Sequence, residues 1–146
     1  MPTLLPLNDI SHVIQLAIAP VFMLTAIGTV INVLVTRLGR SVDRRRALVF
    51  ALPKLGIEIA DIARAEVEFE IRRIRLIYNA ITMAVMSALF ICMLIALAFI
   101  DAFLPQDFSK LVALLFILAL IALIASLTIF LREIFLSINS PRAPVL

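Results

Sequence analysis

The sequence predicts an all-α membrane protein with three transmembrane helices and a helical hairpin that extends the first two. Three observations predict it. The 146 residues are 64% hydrophobic and only 16% charged, whereas soluble domains are roughly 45–50% apolar and about 25% charged; mean hydropathy is +1.16. Three runs, 10–36, 76–100 and 111–131, contain no Asp, Glu, Lys or Arg. Nearly all the basic residues gather on one side of those runs.

Each run exceeds the roughly 20 residues that a helix needs to cross about 30 Å of hydrocarbon. The first is the longest and is expected to tilt, bend or project beyond the bilayer. Its proline-punctuated, acidic leader (Pro2, Pro6, Asp9) lacks a basic n-region, so the span reads as retained. Asn8, Asp9 or Ser11 can cap it. Pro20 removes a hydrogen-bond donor inside it and is expected to bend it. Residues 37–75 hold ten Lys/Arg, and Arg132 and Arg142 follow the third run, while Lys110 is the one base on the opposite side. By the positive-inside rule the N-terminus and the 101–110 turn face outside, and the hairpin and C-terminus face the cytoplasm.

The 37–75 segment reads as a hairpin. The first helix continues to about Leu52, with a kink expected at Gly39, and the second starts near Pro53, which suits a first helical turn. Leu55, Ile59, Ile62 and Phe69 fall on one side of the second helix, with Glu66 and Arg73 interrupting the stripe. Glu68–Arg72, Asp61–Arg64 and Glu70–Arg73 are helix-supporting spacings. Glu66, Glu68 and Glu70, two apart, splay around the helix.

Enzyme chemistry finds little footing. One cysteine, Cys92, and one histidine, His12, cannot build a thiolate or histidine metal site. Gly28, Gly39 and Gly56 are too scattered to cradle a phosphate. The expectation is a non-enzyme with no cofactor. His12 beside Asp9 and Gln15 could sense external pH, though a helix cap and interfacial polarity explain them more simply.

Three patterns are candidates for function. Thr25, Gly28, Thr29, Asn32 and Thr36 share one narrow face of the first span, a pore lining or a packing surface. Arg37, Arg40, Arg44, Arg45 and Arg46 lie just inside the membrane and favour an anionic leaflet. Ala80, Ala84, Ala88, Cys92 and Ala96 form a small-residue ridge for close helix approach. Asn79 and Thr82, with Ala119, Ala122 and Ser126 on the third span, read as further interhelical contacts. Nucleic-acid binding is not expected, because acidic residues 58–70 break the basic field.

The chain also resembles a known family. Ile10-Ser11 through Gln15, Ala19-Pro20-Val21-Phe22, Arg37-Leu38 with Arg40, Asp43-Arg44, Arg72-Arg73, Leu76-Ile77 and Phe130-Leu131-Arg132-Glu133 look like the bacterial membrane proteins catalogued as domain of unknown function 2721. The resemblance covers about residues 10–136. It implies a small bacterial inner-membrane protein and no particular activity.

These readings combine into a homo-oligomeric channel or pore-like protein lined by the first helix, with the bilayer as its partner. The alternative is a scaffold or accessory subunit that uses the same face to bind a protein. A carrier ranks last, since the spans hold no charge. Topology is directly testable. On a Cys92→Ala background, Ser109→Cys is expected to react with an impermeant thiol reagent from outside, and Ser137→Cys is not; the reverse pattern overturns the orientation.

Overall fold

The computed structural model describes residues 7–54, 56–101 and 108–138, without the side chains of residues 7–10, 12, 13, 16 and 17. The capping expected of Asn8 and Asp9 and the role considered for His12 therefore lie outside the described residues, as do Leu55, most of the 101–110 turn and Arg142. Among the described residues the chain is helical, in the order α1 (Leu7–Ala51), α2 (Ile57–Asp101) and α3 (Ser109–Ile138). All three are long and apolar enough to cross a membrane.

Helix α1 runs without interruption through both Pro20 and Gly39. Its continuation past Thr36 to Ala51 is the extension that the sequence predicted. The connection differs from expectation by a few residues. Leu52–Lys54 form one 3-10 turn that includes Pro53, and α2 starts at Ile57. Proline disfavours helical geometry in the residue before it, which ends α1. The Ala60 N–H donates to the Gly56 carbonyl at 2.9 Å as α2 begins. At the other connection, Asp101 Oδ1 accepts the Phe108 N–H at 2.9 Å, and Phe108 O accepts from Leu111 and Val112 as α3 begins.

Apart from Ala60 at the start of α2, the buried positions follow a repeat of seven. On α1 they are Pro20, Ile27, Leu34, Ser41 and Leu48. On α2 two interleaved series occur: Ala63, Glu70, Ile77, Ala84, Ile91, and Glu66, Arg73, Ala80, Ser87, Leu94, all buried except Arg73, which is half-buried. On α3 Ala119, Ser126 and Glu133 form one series, with Leu115 and Ala122 in a second. Seven-residue spacing is that of helices packed side by side at 3.5 residues per turn, knobs into holes.

The chain forms two compact units, Met1–Val30 with Met83–Ile124, and Ile31–Thr82 with Ala125–Leu146. In the first, the Ser87 hydroxyl donates to the Ala119 carbonyl at 2.7 Å, so α2 caps an acceptor of α3. In the second, Ser126 on α3 donates to the Ala80 carbonyl on α2, also at 2.7 Å. Both hydroxyls are buried and satisfied, as membrane packing requires. Ser126 and Ala119 thus make the interhelical contacts read from sequence. Asn79 is exposed, and Thr82 bonds the Tyr78 carbonyl of its own helix at 3.0 Å.

Seven-residue spacing also reshapes two expected stripes. Ala80 and Ala84 are fully buried and Ala88 half-buried, but Cys92 and Ala96 are exposed. A row at every fourth position turns by about 40° per step on a 3.6-residue helix, so the ridge winds out of the contact before its end. Ser87, Ile91 and Leu94 take over the contact. Ile59 and Ile62 likewise face outward, Phe69 is half-buried, and the small Ala60 and Ala63 face in.

Packing therefore depends on position within the ridge. Ala84→Leu forces three more carbons, a branched methine with two methyls, into a filled contact and is expected to cost about 1–3 kcal/mol, read as a lower Tm in detergent. Ala96→Leu, on the outer side, is expected to leave Tm unchanged.

Candidate functional site

Two features stand out. The first is a buried ionic clamp in the second unit. Glu133 on α3 has no solvent exposure. Its Oε2 accepts Arg37 Nη1 from α1 at 3.0 Å, and its Oε1 accepts Arg73 Nη2 and Nε from α2 at 2.8 and 3.2 Å. One carboxylate thereby takes guanidinium groups from both other helices, and the Arg73 fork engages Oε1 through two of its nitrogens. The Arg37 guanidinium lies 5.1 Å from the Phe130 ring centroid, in cation–π range and one turn before Glu133 on α3. Arg73 Nη1 also bonds Glu70 Oε1 at 3.0 Å. The other Glu70 oxygen, Oε2, is buried with no hydrogen-bond partner among the described residues. One step of seven along α1 and α2, Arg44 meets Glu66 Oε1, with Nη2 at 2.7 Å and Nε at 2.8 Å.

The glutamates at 66, 68 and 70 divide by face. Glu66 and Glu70 are one turn apart and buried, while Glu68 points out and pairs with Arg72 at 3.1 Å. Asp61–Arg64 is the matching exposed pair, at 2.9 Å. Among the described residues, no group of three His, Cys, Asp or Glu side chains could hold a metal ion.

The second feature is the outward face of α1. Thr25, Gly28, Thr29, Asn32 and Thr36 are all exposed. They lie away from the buried Ile27 and Leu34 of the same helix. The threonine hydroxyls donate to carbonyls one turn back: Thr25 to Val21 at 3.3 Å, Thr29 to Thr25 at 3.2 Å and Thr36 to Asn32 at 2.9 Å. Such back-bonding satisfies a hydroxyl in an apolar medium without an outside partner. The Asn32 side chain makes no hydrogen bond among the described residues. A Cβ added at Gly28 meets nothing within 4 Å, so the space beside it is used by no neighbour in the chain.

The five arginines read as lipid contacts separate into two groups. Arg37 and Arg44 enter the clamp, whereas Arg40, Arg45 and Arg46 are exposed and unpaired among the described residues. Sequence reasoning gave Glu133 no role inside the protein, took Glu70 into a local pair with Arg73, and offered Glu66 or Glu70 to Arg44, Arg45 and Arg46 only as the alternative to lipid. The signal of these glutamates was the seven-residue step that puts Glu66 and Arg73 in line with Ala80 and Ser87, and Glu133 in line with Ser126 and Ala119. Several residues that carried the family resemblance, Arg37, Arg44, Arg73, Phe130 and Glu133, are ones that the structure brings into this clamp.

Residues 17–143 match the family described as protein of unknown function DUF2721. No curated protein and no solved structure matches the chain.

The clamp predicts unequal costs for two conservative changes. Glu133→Gln takes the charge from the buried carboxylate that holds Arg37 and Arg73 and is expected to lower stability by about 3 kcal/mol. Glu68→Gln breaks an exposed pair and is expected to shift it by less than about 1 kcal/mol. Thermal unfolding of the two variants in one detergent is the comparison.

Proposed function

The chain belongs to the DUF2721 family, and from the exposed polar face of α1 we propose that it is a homo-oligomeric, channel-like membrane protein lined by that face. One observation carries the reading. Among the exposed residues of the apolar runs, α2 and α3 present mainly Leu, Ile, Val, Met and aromatic side chains, which lipid covers at no cost. Helix α1 presents Thr25, Gly28, Thr29, Asn32 and Thr36. A ring that turns this face inward gives Asn32 water and leaves the aliphatic faces to lipid. Arg40, exposed one turn past Thr36, then stands at the inner mouth and raises local anion concentration there. In this reading the protein is not an enzyme and sits in a bacterial inner membrane. Its N-terminus is outside, and residues 37–75 and the C-terminus are cytoplasmic.

A second reading has its own support. The three threonine hydroxyls are satisfied by their own helix, so the face does not require water. It then serves as a packing surface for a partner protein, in a scaffold or accessory subunit.

Reconstituted bilayers distinguish the two. For a pore, Asn32→Leu removes a wetting group and lowers conductance, and Arg40→Glu moves selectivity toward cations. For a packing face, Asn32→Leu changes assembly or Tm and no flux is seen from the folded wild-type oligomer under voltage, tension or pH change. That second outcome removes the channel reading.

A further inference from the structure

The turn between α1 and α2 exposes apolar side chains where lipid does not reach. Phe50 is 79% exposed and Ile57 86% exposed. Counted from Thr36, the last residue of the uncharged run, Phe50 is fourteen residues along a continuous helix, about 21 Å at ~1.5 Å per residue. The headgroup layer adds only about 6 Å beyond the hydrocarbon, and an ordinary tilt of about 20° removes little of the difference. Arg45 and Arg46 stand about 14–15 Å past Thr36 by the same measure, which is about one Debye length outside the headgroup layer. Lipid does not account for the exposed Phe50 and Ile57 side chains.

Two shallow grooves flank the turn and differ in charge. One is lined by Arg45, Arg46, Val49 and Phe50 of α1, and the other by Gly56, Ile57, Glu58 and Ile59 at the start of α2. Arg45, Arg46 and Glu58 form no ion pair among the described residues. Each groove thus holds an unpaired charge beside exposed apolar surface, and the signs are opposite.

We propose that the α1 edge of this turn docks against the α2 edge of the same turn on a second copy, with Phe50 against Ile57 and Ile59, and Arg45 or Arg46 against Glu58. The occupant is a second copy because every chain carries both complementary halves. Unlike edges meeting edge to edge make a heterologous contact, which when repeated gives a ring if the rotation between copies closes and an open filament if it does not. The contact is separate from the α1 membrane face and from conduction: an oligomer that passes no ions can still be held by it.

The test uses full-length protein in membranes on a Cys92→Ala background. Two differently tagged chains are co-expressed, one Phe50→Cys and the other Ile59→Cys. Mild oxidation is expected to link them to each other about tenfold more than it links either chain to itself. Adding Arg45→Glu and Arg46→Glu to the first chain is expected to cut the yield about tenfold, and Glu58→Arg in the second to restore it. All these positions are exposed, and helical content by circular dichroism checks that the variants fold. Linking no greater than self-linking overturns the proposal, as does a yield indifferent to charge reversal. Quenching of a label at residue 50 by lipid-borne quenchers overturns it in favour of a membrane surface. Flux measured on the same variants reports separately on the channel reading.

Discussion

Glu133 places a carboxylate with no solvent exposure where α1, α2 and α3 meet in the second unit, and both of its oxygens are committed to arginines from the other two helices. Such a group is poor as a source of raw stability. Desolvating the ions costs several kcal/mol each, and a well-packed apolar replacement is often as stable. Its value lies in register. A strict seven-residue repeat lets helices slide by seven and still match apolar positions. Sliding α3 one heptad along α2 sets Glu133 against Ala80, with no cation to meet it, or against Glu66, a like charge. Sliding α1 on α2 one heptad in one direction sets Arg44 against Arg73. The observed register pairs these buried charges with opposite partners, although one Glu70 oxygen remains unpaired.

The two serine contacts add to the same selection. Ser126 to Ala80 lies one heptad from the Glu133–Arg73 pair on both helices, forward on α3's descending numbers and on α2's ascending ones. Ser87 to Ala119 lies one heptad further on both. Lipid gives helices no hydrophobic reason to associate, so close packing and interhelical hydrogen bonds must hold them. Small partners at 80, 84 and 119 admit that closeness. The serine hydroxyls then reach a backbone carbonyl of the facing helix, a bond indifferent to which side chain stands there.

The sequence made the helices legible because charge-free runs and their flanks are strong signals in a chain this apolar. It also made the outward polar face of α1 legible, since threonine, glycine and asparagine stand out against valine and isoleucine. The α2 contact face was harder to see. Reading for large apolar residues selected Ile59 and Ile62, yet both are exposed, while Ala60, Ala63, Glu66 and Glu70 are buried. Hydrophobicity alone misleads where charges are buried in pairs, because each charge looks like a surface residue until its partner is known. Arg37, Arg73 and Glu133 lie far apart in sequence, on three different helices, so no local spacing joins them. The exposed pairs Asp61–Arg64 and Glu68–Arg72 were visible because they are local, and they contribute least.

The heptad also decides what the outer surface of α1 can be. With Ile27 and Leu34 buried, Thr25, Thr29, Asn32 and Thr36 occupy the side of the helix away from its own core. The same reasoning carries past the membrane boundary on the same helix, where Gly39, Asp43, Arg46 and Phe50 continue that outward row and are all exposed. An interior use for the row is closed off by the packing of α1 itself. The row changes character along its length, from hydroxyl and amide, through a glycine, to charge and then an aromatic ring. The grading follows the change of surroundings from bilayer to water as the helix leaves the membrane. On the readings proposed above, the polar groups at 25–36 and the ring at 50 serve two separate contacts with other copies, and both lie on the side of α1 away from its buried residues.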